Sequence, residues 1–146
     1  MKRLSWDDCK AKLQTYNGSI AISINYWRNA LDFDEEIFGC LKDAFICEGP
    51  VDEEGVSVGF FEVLSRNRSE SYIERLLRND LVKLFVAGAQ EDFYQCLPGL
   101  LMEELGEIGE FSLNAIQAVK VIKGCDWLIL SDGNEYDEPY YLVEHR

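Results

Sequence analysis

Residues 19–27 alternate between large apolar side chains and small or polar ones, and this alternation limits the possible folds more than any other stretch of the chain. The large apolar positions are Ile20, Ile22, Ile24 and Tyr26. Because successive side chains of a β-strand point to opposite faces of a sheet, a period of two predicts a half-buried strand. The core of the protein is therefore expected to include a β-sheet.

Helical patterns occur on both sides of this strand. Ser5 followed by Asp8, with apolar residues spaced at three or four, predicts a capped N-terminal helix that ends at Asn17-Gly18. Further helices are predicted from Asp34 to about Gly49, from the capping pattern of Ser71 and Glu74, and at residues 91–97 and 99–105.

Three more strands are predicted, at residues 56–64, 126–130 and 140–143, the last returning beside its neighbour after a turn at 132–134. Segments 81–87 and 112–123 fit both a helix and a strand. Together these elements predict one α+β domain over residues 1–146. Its largely antiparallel sheet packs against several helices, and a helix comes first.

Composition agrees with a single folded domain. The chain has 146 residues, of which 47% are hydrophobic, so its net charge of −13 does not indicate disorder. The five cysteines are scattered without a Cys-x-x-Cys pair, which predicts five free thiols in a reducing compartment. Acids at positions 7 and 8 argue against a signal peptide, and no apolar run reaches 18 residues, so we expect a cytoplasmic protein without a membrane partner.

No group of residues predicts catalysis. The only histidine is His145, near the end of the sequence, where it is a poor base for any cysteine nucleophile. Cysteine and histidine spacings do not fit zinc, and the calcium-like stretch from Asp132 has Tyr136 where an oxygen ligand belongs. The sequence therefore predicts no enzyme activity, no metal and no cofactor.

One segment is basic, but acids compensate it. Its bases are Arg66, Arg68, Arg75, Arg78 and Lys83. Glu70, Glu74 and Asp80 lie among them, and Glu74 precedes Arg78 by four residues, the spacing of a helix surface pair. A phosphate footprint needs uncompensated cations, so nucleic acid is not an expected partner.

Acidic residues dominate the C-terminal part of the chain. Residues 91–146 contain twelve acids, against which stand Lys120, Lys123 and Arg146. A field of one sign attracts basic partners and accelerates their association. The predicted partner-binding residues are Glu103, Glu104, Glu107, Glu110, Asp132, Glu135, Tyr136, Asp137, Glu138 and Tyr140. Tyr136 and Tyr140 are the expected anchors; in the alternative interpretation, the tyrosines pack a strand and the acids only keep the protein soluble.

By overall type, the chain resembles bacterial toxin immunity proteins of the contact-dependent growth inhibition or polymorphic toxin kind. The resemblance lies in a small acidic domain that lacks a catalytic motif and brings tyrosines together with carboxylates. It implies an antitoxin that inhibits a basic toxin, expected to be a nuclease, by covering its active or substrate-binding surface. Two alternatives remain: an adaptor or regulator of another basic protein, and a small hydrolase that uses paired carboxylates.

Overall fold

The computed structural model describes residues 2–27, 44–48, 56–79, 82–88, 119–120, 124–131 and 137–144. Seven strands and two helices lie within them. The strands are β1 (Lys2–Leu4), β2 (Ser19–Trp27), β3 (Phe45–Glu48), β4 (Val56–Glu62), β5 (Val82–Gly88), β6 (Cys125–Ser131) and β7 (Tyr140–Glu144). The helices are α1 (Trp6–Thr15) and α2 (Glu70–Arg78), and a 3-10 turn covers Ser65–Asn67. The predicted α+β class is confirmed.

The seven strands form one antiparallel sheet in the order β1-β7-β6-β5-β2-β4-β3. The predicted return of the last strand is confirmed, because β7 pairs with β6 from Ser131 opposite Tyr140 to Trp127 opposite Glu144. The undecided segment 81–87 contains strand β5, which lies between β2 and β6. The centre of the sheet is thus made of β2, β5 and β6.

Strand β2 has the predicted bounds but is buried on both faces. Residues 20–24 are all buried, including Ala21 and Ser23 on the face expected to be exposed. Ser23 lies opposite Phe60, and both are almost completely inaccessible to solvent. The alternation in β2 is therefore one of side-chain size: small residues on the second face leave room for Phe60 on the neighbouring strand.

Both helices pack into the main core. Helix α1 contributes Cys9 and Leu13, and α2 contributes Tyr72, Ile73 and Leu76. Their partners from the sheet include Ile20, Ile22, Phe61, Phe85, Trp127, Ile129 and Leu142. No helix in the described ranges is long and apolar enough to cross a membrane.

Helix caps were predicted with mixed success. Ser5 caps α1 as expected, its Oγ accepting from the backbone N–H of Asp8 at 3.1 Å. Helix α2 is capped by Ser69, which accepts from the N–H of Tyr72 at 3.3 Å, so the predicted cap at Ser71 is wrong by two residues. Ser71 instead lies in the exposed first turn.

Two other predictions need correction. The chain does not start with a helix, because β1 precedes α1 and pairs with β7. The end of the helix predicted from Asp34 is strand β3, where Phe45 pairs with Phe61 of β4. In both places pairing with a distant strand overrides local propensity. The predicted helices at 91–97 and 99–105, and most of segment 112–123, lie outside the described residues.

Candidate partner-binding surface

The structure describes three of the ten predicted partner-binding residues. Asp137 and Glu138 are exposed just before β7, and Tyr140 is the first residue of that strand. The other seven lie outside the described residues: Glu103, Glu104, Glu107, Glu110, Asp132, Glu135 and Tyr136.

Arg3 lies beside the exposed acidic pair. Its Nη1 donates to the backbone carbonyl of Glu138 at 2.9 Å, and its Nη2 donates to the hydroxyl of Tyr141. The guanidinium also lies 4.2 Å from the centre of the Tyr141 ring, which is cation–π geometry. Sequence reasoning missed this contact because nothing local indicates that β1 pairs with β7.

Tyr140 is a core residue, and the prediction of a surface anchor there is corrected. Only 4% of the residue is exposed, and its ring centroid lies 6.5 Å from that of Trp6. Its hydroxyl donates to the carbonyl oxygen of Leu77 at 3.5 Å, and burial raises the pKa of the phenol. For Tyr140 the alternative interpretation holds: the tyrosine packs a strand.

Strand ends show where the acidic stretches join the sheet. Trp27 of β2 pairs with Val56 of β4, and Ser131 of β6 pairs with Tyr140 of β7, all at one end, which we call the Trp27 end. Residues 49–55 and 132–138 connect strands at this end, and their acids are Asp52, Glu53, Glu54, Asp132, Glu135, Asp137 and Glu138. Residues 28–44 leave β2 at Trp27 but reach β3 at Phe45, which pairs with Phe61 nearer the other end of the sheet.

The other predicted acidic group joins the sheet at its opposite end. Residues 89–124, which include Glu103 and Glu110, separate Gly88 of β5 from Cys125 of β6. These two residues pair with each other beside Ser19, at what we call the Ser19 end. The two halves of the predicted surface are therefore attached to opposite ends of the sheet.

Lysines of α1 are engaged by acids of other elements. Lys10 Nζ lies 3.0 Å from a carboxylate oxygen of Glu70 and 3.1 Å from one of Glu74, both on α2. Lys12 Nζ lies 3.1 Å from a carboxylate oxygen of Glu144 on β7. These contacts bind α1 to α2 and to the sheet, and they compensate charge locally.

Arg68 of the basic segment has a structural role. Its Nε donates to the carbonyl of Val63 at 3.1 Å. Its Nη1 and Nη2 donate to the carbonyls of Tyr16 and Gly18 at 2.8 and 2.9 Å. The guanidinium thus ties the chain before α2 to the chain between α1 and β2. One cation of the basic segment therefore donates to three backbone carbonyls.

The two cysteines whose side chains are described are free and buried, as predicted. Burial raises the pKa of the Cys9 thiol to about 12. Burial, followed by the charge of Asp126, raises the pKa of the Cys125 thiol to about 12. Both are protonated at neutral pH and are poor nucleophiles. The prediction of free thiols at Cys40, Cys47 and Cys96 concerns side chains outside the description.

These buried thiols predict a loss of stability in alkali. The unfolded chain releases each proton near pH 9, whereas the folded chain retains it to about pH 12. Stability is thus retained below pH 9 and falls as the pH rises, by about 1 kcal/mol for each thiol at pH 9.5. Urea unfolding at pH 8.0 and 9.5 measures this loss. Between these two pH values, Cys9→Ala should lose about 1 kcal/mol less of its free energy of unfolding than the unaltered protein loses. The same loss in both proteins would contradict the assignment to Cys9.

No group of three potential metal-ligating side chains occurs among the described residues. Comparisons with protein-family models, curated proteins and solved structures find no match. Within the described part, the candidate surface thus comprises Asp137 and Glu138 at the Trp27 end, with Arg3 and Tyr141 beside them.

Proposed function

We propose that this protein is an acidic binding protein that neutralises a cognate basic toxin. The toxin expected first is a nuclease, and the protein would cover its active or substrate-binding surface. The observation that carries the proposal is the net charge of −13 and its concentration in the C-terminal part of the sequence, where residues 91–146 contain twelve acids against three bases. A charge of one sign and this size produces a long-range field that favours a basic partner.

Electrostatic complementarity mainly raises the association rate and the specificity of a complex. Both properties suit an inhibitor that must capture a toxin quickly. The carboxylates proposed to face the toxin are Glu103, Glu104, Glu107, Glu110, Asp132, Glu135, Asp137 and Glu138, with Tyr136 as the remaining candidate anchor. In this mode, carboxylates occupy the positions that substrate phosphates would take on the nuclease.

An adaptor or regulator of another basic protein would use the same charges and differ only in the identity of its partner. No specific observation favours the carboxylate-dependent hydrolase. The two described thiols are protonated at neutral pH. Carboxylates of Glu70, Glu74 and Glu144 are engaged in the ion pairs with Lys10 and Lys12, and that of Asp126 accepts from the Tyr16 hydroxyl at 2.5 Å.

The proposal is tested with the protein encoded immediately upstream of this chain in its own genome. Its C-terminal domain is expressed alone and together with this chain. We expect a domain that stops growth and degrades nucleic acid, and we expect an equimolar amount of this chain to restore growth and block degradation. If the domain is harmless, or remains active in the presence of this chain, the proposal fails.

Charge reversal then identifies the end of the sheet that faces the toxin. Asp137→Lys/Glu138→Lys, at the Trp27 end, should slow association about tenfold at low salt and weaken its dependence on salt. The control Glu62→Lys reverses one charge at the Ser19 end and is compared with the single variant Asp137→Lys, and circular dichroism checks the fold of every variant. Stopped-flow rates that fall equally in both single variants would indicate general attraction without a defined docking surface.

A further inference from the structure

Strand β3 is the last strand of the sheet, and no other strand in the described ranges pairs with its outer side. It has four residues and pairs with β4, from Phe45 opposite Phe61 to Glu48 opposite Gly59. The outer strand of a sheet presents a row of backbone N–H and C=O groups, and an extended segment of another chain can pair with them. The β3 edge therefore has the backbone geometry that an added strand requires.

An exposed aromatic side chain lies on this edge strand. Phe45 is 50% exposed, more than any other large apolar side chain that the structure describes. Its ring packs edge-on against that of Phe61, which is buried in the main core, with 5.5 Å between the ring centroids. The core thus positions the ring, and half of the side chain is available to a partner. Aromatic residues are among the commonest anchors of protein interfaces.

The pairing of β3 with β4 is irregular at Ile46. Phe45 lies opposite Phe61 and Cys47 lies opposite Phe60, so Ile46 is an extra residue on the edge strand. Such a bulge increases the twist of a strand, and short, bulged edges resist pairing with the edge of another sheet. A single flexible segment can follow that twist, whereas the edge of a preformed sheet cannot. Strand β3 therefore suits an extended segment better than a second sheet.

The charge of the β3–β4 hairpin decides which segment fits this edge. Residues 43–65 contain six acids and no lysine, arginine or histidine. The acids are Asp43, Glu48, Asp52, Glu53, Glu54 and Glu62. Like charges on paired strands are destabilising, whereas opposite charges stabilise the pair. A second copy of this hairpin is therefore disfavoured as an occupant, and a basic segment is favoured.

The opposite edge of the sheet carries the opposite charge. It is formed by β1, whose Lys2 and Arg3 are exposed. A basic segment therefore meets like charge at β1 and opposite charge at β3. The two edges of the sheet thus provide an internal comparison.

We propose that the outer edge of β3 is the docking site for an extended basic segment of the partner protein, with Phe45 as the apolar anchor. The segment adds a strand to the sheet by pairing with the backbone of β3, and its basic side chains complement the acidic charge of the hairpin. This inference rests on the proposed function, because it takes the partner to be basic and names the strand that receives it. Phe45 also supplies an exposed anchor that the buried Tyr140 cannot.

The first test uses the whole protein with two synthetic peptides, each about nine residues long. One alternates valine with lysine and the other alternates valine with glutamate. Fluorescence anisotropy should show that the lysine peptide binds, with a dissociation constant that rises at least about threefold between about 0.05 and 0.3 M salt, and that the glutamate peptide does not bind. Absence of binding by the lysine peptide, or equal binding of both peptides, overturns the proposal.

Hydrogen exchange then locates the bound peptide. A saturating concentration of the lysine peptide should slow the exchange of β3 amides at least about threefold and leave β1 amides unchanged. Protection of both edges to the same extent would show that the peptide is attracted without a preferred edge, which contradicts docking at β3.

The anchor is tested with Phe45→Ala, which should weaken binding of the lysine peptide at least about fivefold. The control Leu77→Ala shortens a partly buried side chain of α2 and should leave peptide binding unchanged. Circular dichroism checks the fold of both variants. Unaltered peptide binding by a folded Phe45→Ala, or equal weakening by both variants, would rule out Phe45 as the anchor and contradict the proposal.

The toxin assay separates this inference from the proposed function. If Phe45→Ala binds and neutralises the upstream toxin as well as the unaltered protein does, the toxin docks elsewhere, and the inference fails while the proposed function stands. If the lysine peptide protects β3 but the upstream domain is harmless, the proposed function fails, and the β3 edge remains a docking site for another basic protein.

Discussion

Phe85→Ala is expected to lower the free energy of unfolding by about 3 to 5 kcal/mol, the range for removing a fully buried aromatic ring. Phe85 is 1% exposed in the middle of β5. It lies opposite Ile22 on β2 and Ile129 on β6, and all three belong to the main core. The cavity left by the ring would lie where three strands meet, with little freedom to collapse because paired strands fix the backbone on both sides.

Phe45→Ala is the matched control for this prediction. Phe45 is 50% exposed on the edge strand β3. Its ring packs edge-on against that of Phe61, with 5.5 Å between the ring centroids. Phe45→Ala should lower the free energy of unfolding by only about 1 kcal/mol, since half of the Phe45 side chain already contacts solvent. Urea titrations of both variants measure the difference. Equal losses would show that β5 does not lie at the centre of the core.

Arg68→Ala is expected to lower the free energy of unfolding by roughly 2 to 3 kcal/mol. This is more than we expect for an alanine substitution of any other surface cation in the described part of the chain. Three carbonyls would lose a charged donor together. A hydrogen bond to a charged group contributes about 1.5 to 3 kcal/mol net to stability, and water that reaches these partly exposed carbonyls in the variant offsets much of the combined loss. The carbonyls of Val63, Tyr16 and Gly18 belong to two separate connections. Their loss should therefore loosen both connections at once.

Two variants make this prediction specific. Arg66→Ala removes an exposed cation two residues away and should change stability by less than about 0.5 kcal/mol. Arg68→Lys keeps the charge but lacks the planar fork that reaches three acceptors, so it should recover little of the loss. Full recovery with lysine would mean that charge alone matters. Thermal unfolding followed by circular dichroism gives the comparison.

These stability predictions and the proposed function concern different parts of the chain. Contacts such as Lys12 with Glu144 fasten the described sheet and helices together into one framework. Asp137 and Glu138, in contrast, are exposed just before β7. Variants of the framework should therefore change stability, whereas charge reversal at Asp137 and Glu138 should change association and leave the fold intact.

The sequence by itself determined the elements whose signals are local. The period of two predicted β2 with its observed bounds, and the Ser5 pattern predicted the cap of α1. The turn after residue 131 predicted the pairing of β7 with β6. Such signals succeed because strand alternation, a helix cap and a hairpin each depend on residues close together in the chain.

For the candidate site, the sequence determined the net charge, the position of the acidic stretches and the exposed pair Asp137 and Glu138. It did not determine which tyrosine is available to a partner. Tyr140 and Tyr141 are adjacent and chemically identical, yet one is core and the other stacks on Arg3. Neighbouring residues of a strand face opposite sides of the sheet, and only the helices packed on one side make that difference decisive.

Only the tertiary structure decided the edge strands, the second buried face of β2 and the role of Arg68. Strands β1 and β3 are too short to show a period, and they form because β7 and β4 offer them partners. In the sequence, Arg68 is one cation of a basic segment. Only folding brings the carbonyls of Val63, Tyr16 and Gly18 within hydrogen-bonding distance of its guanidinium. In each case the stabilising contact joins residues far apart in sequence, so its energy does not exist until the sheet has assembled.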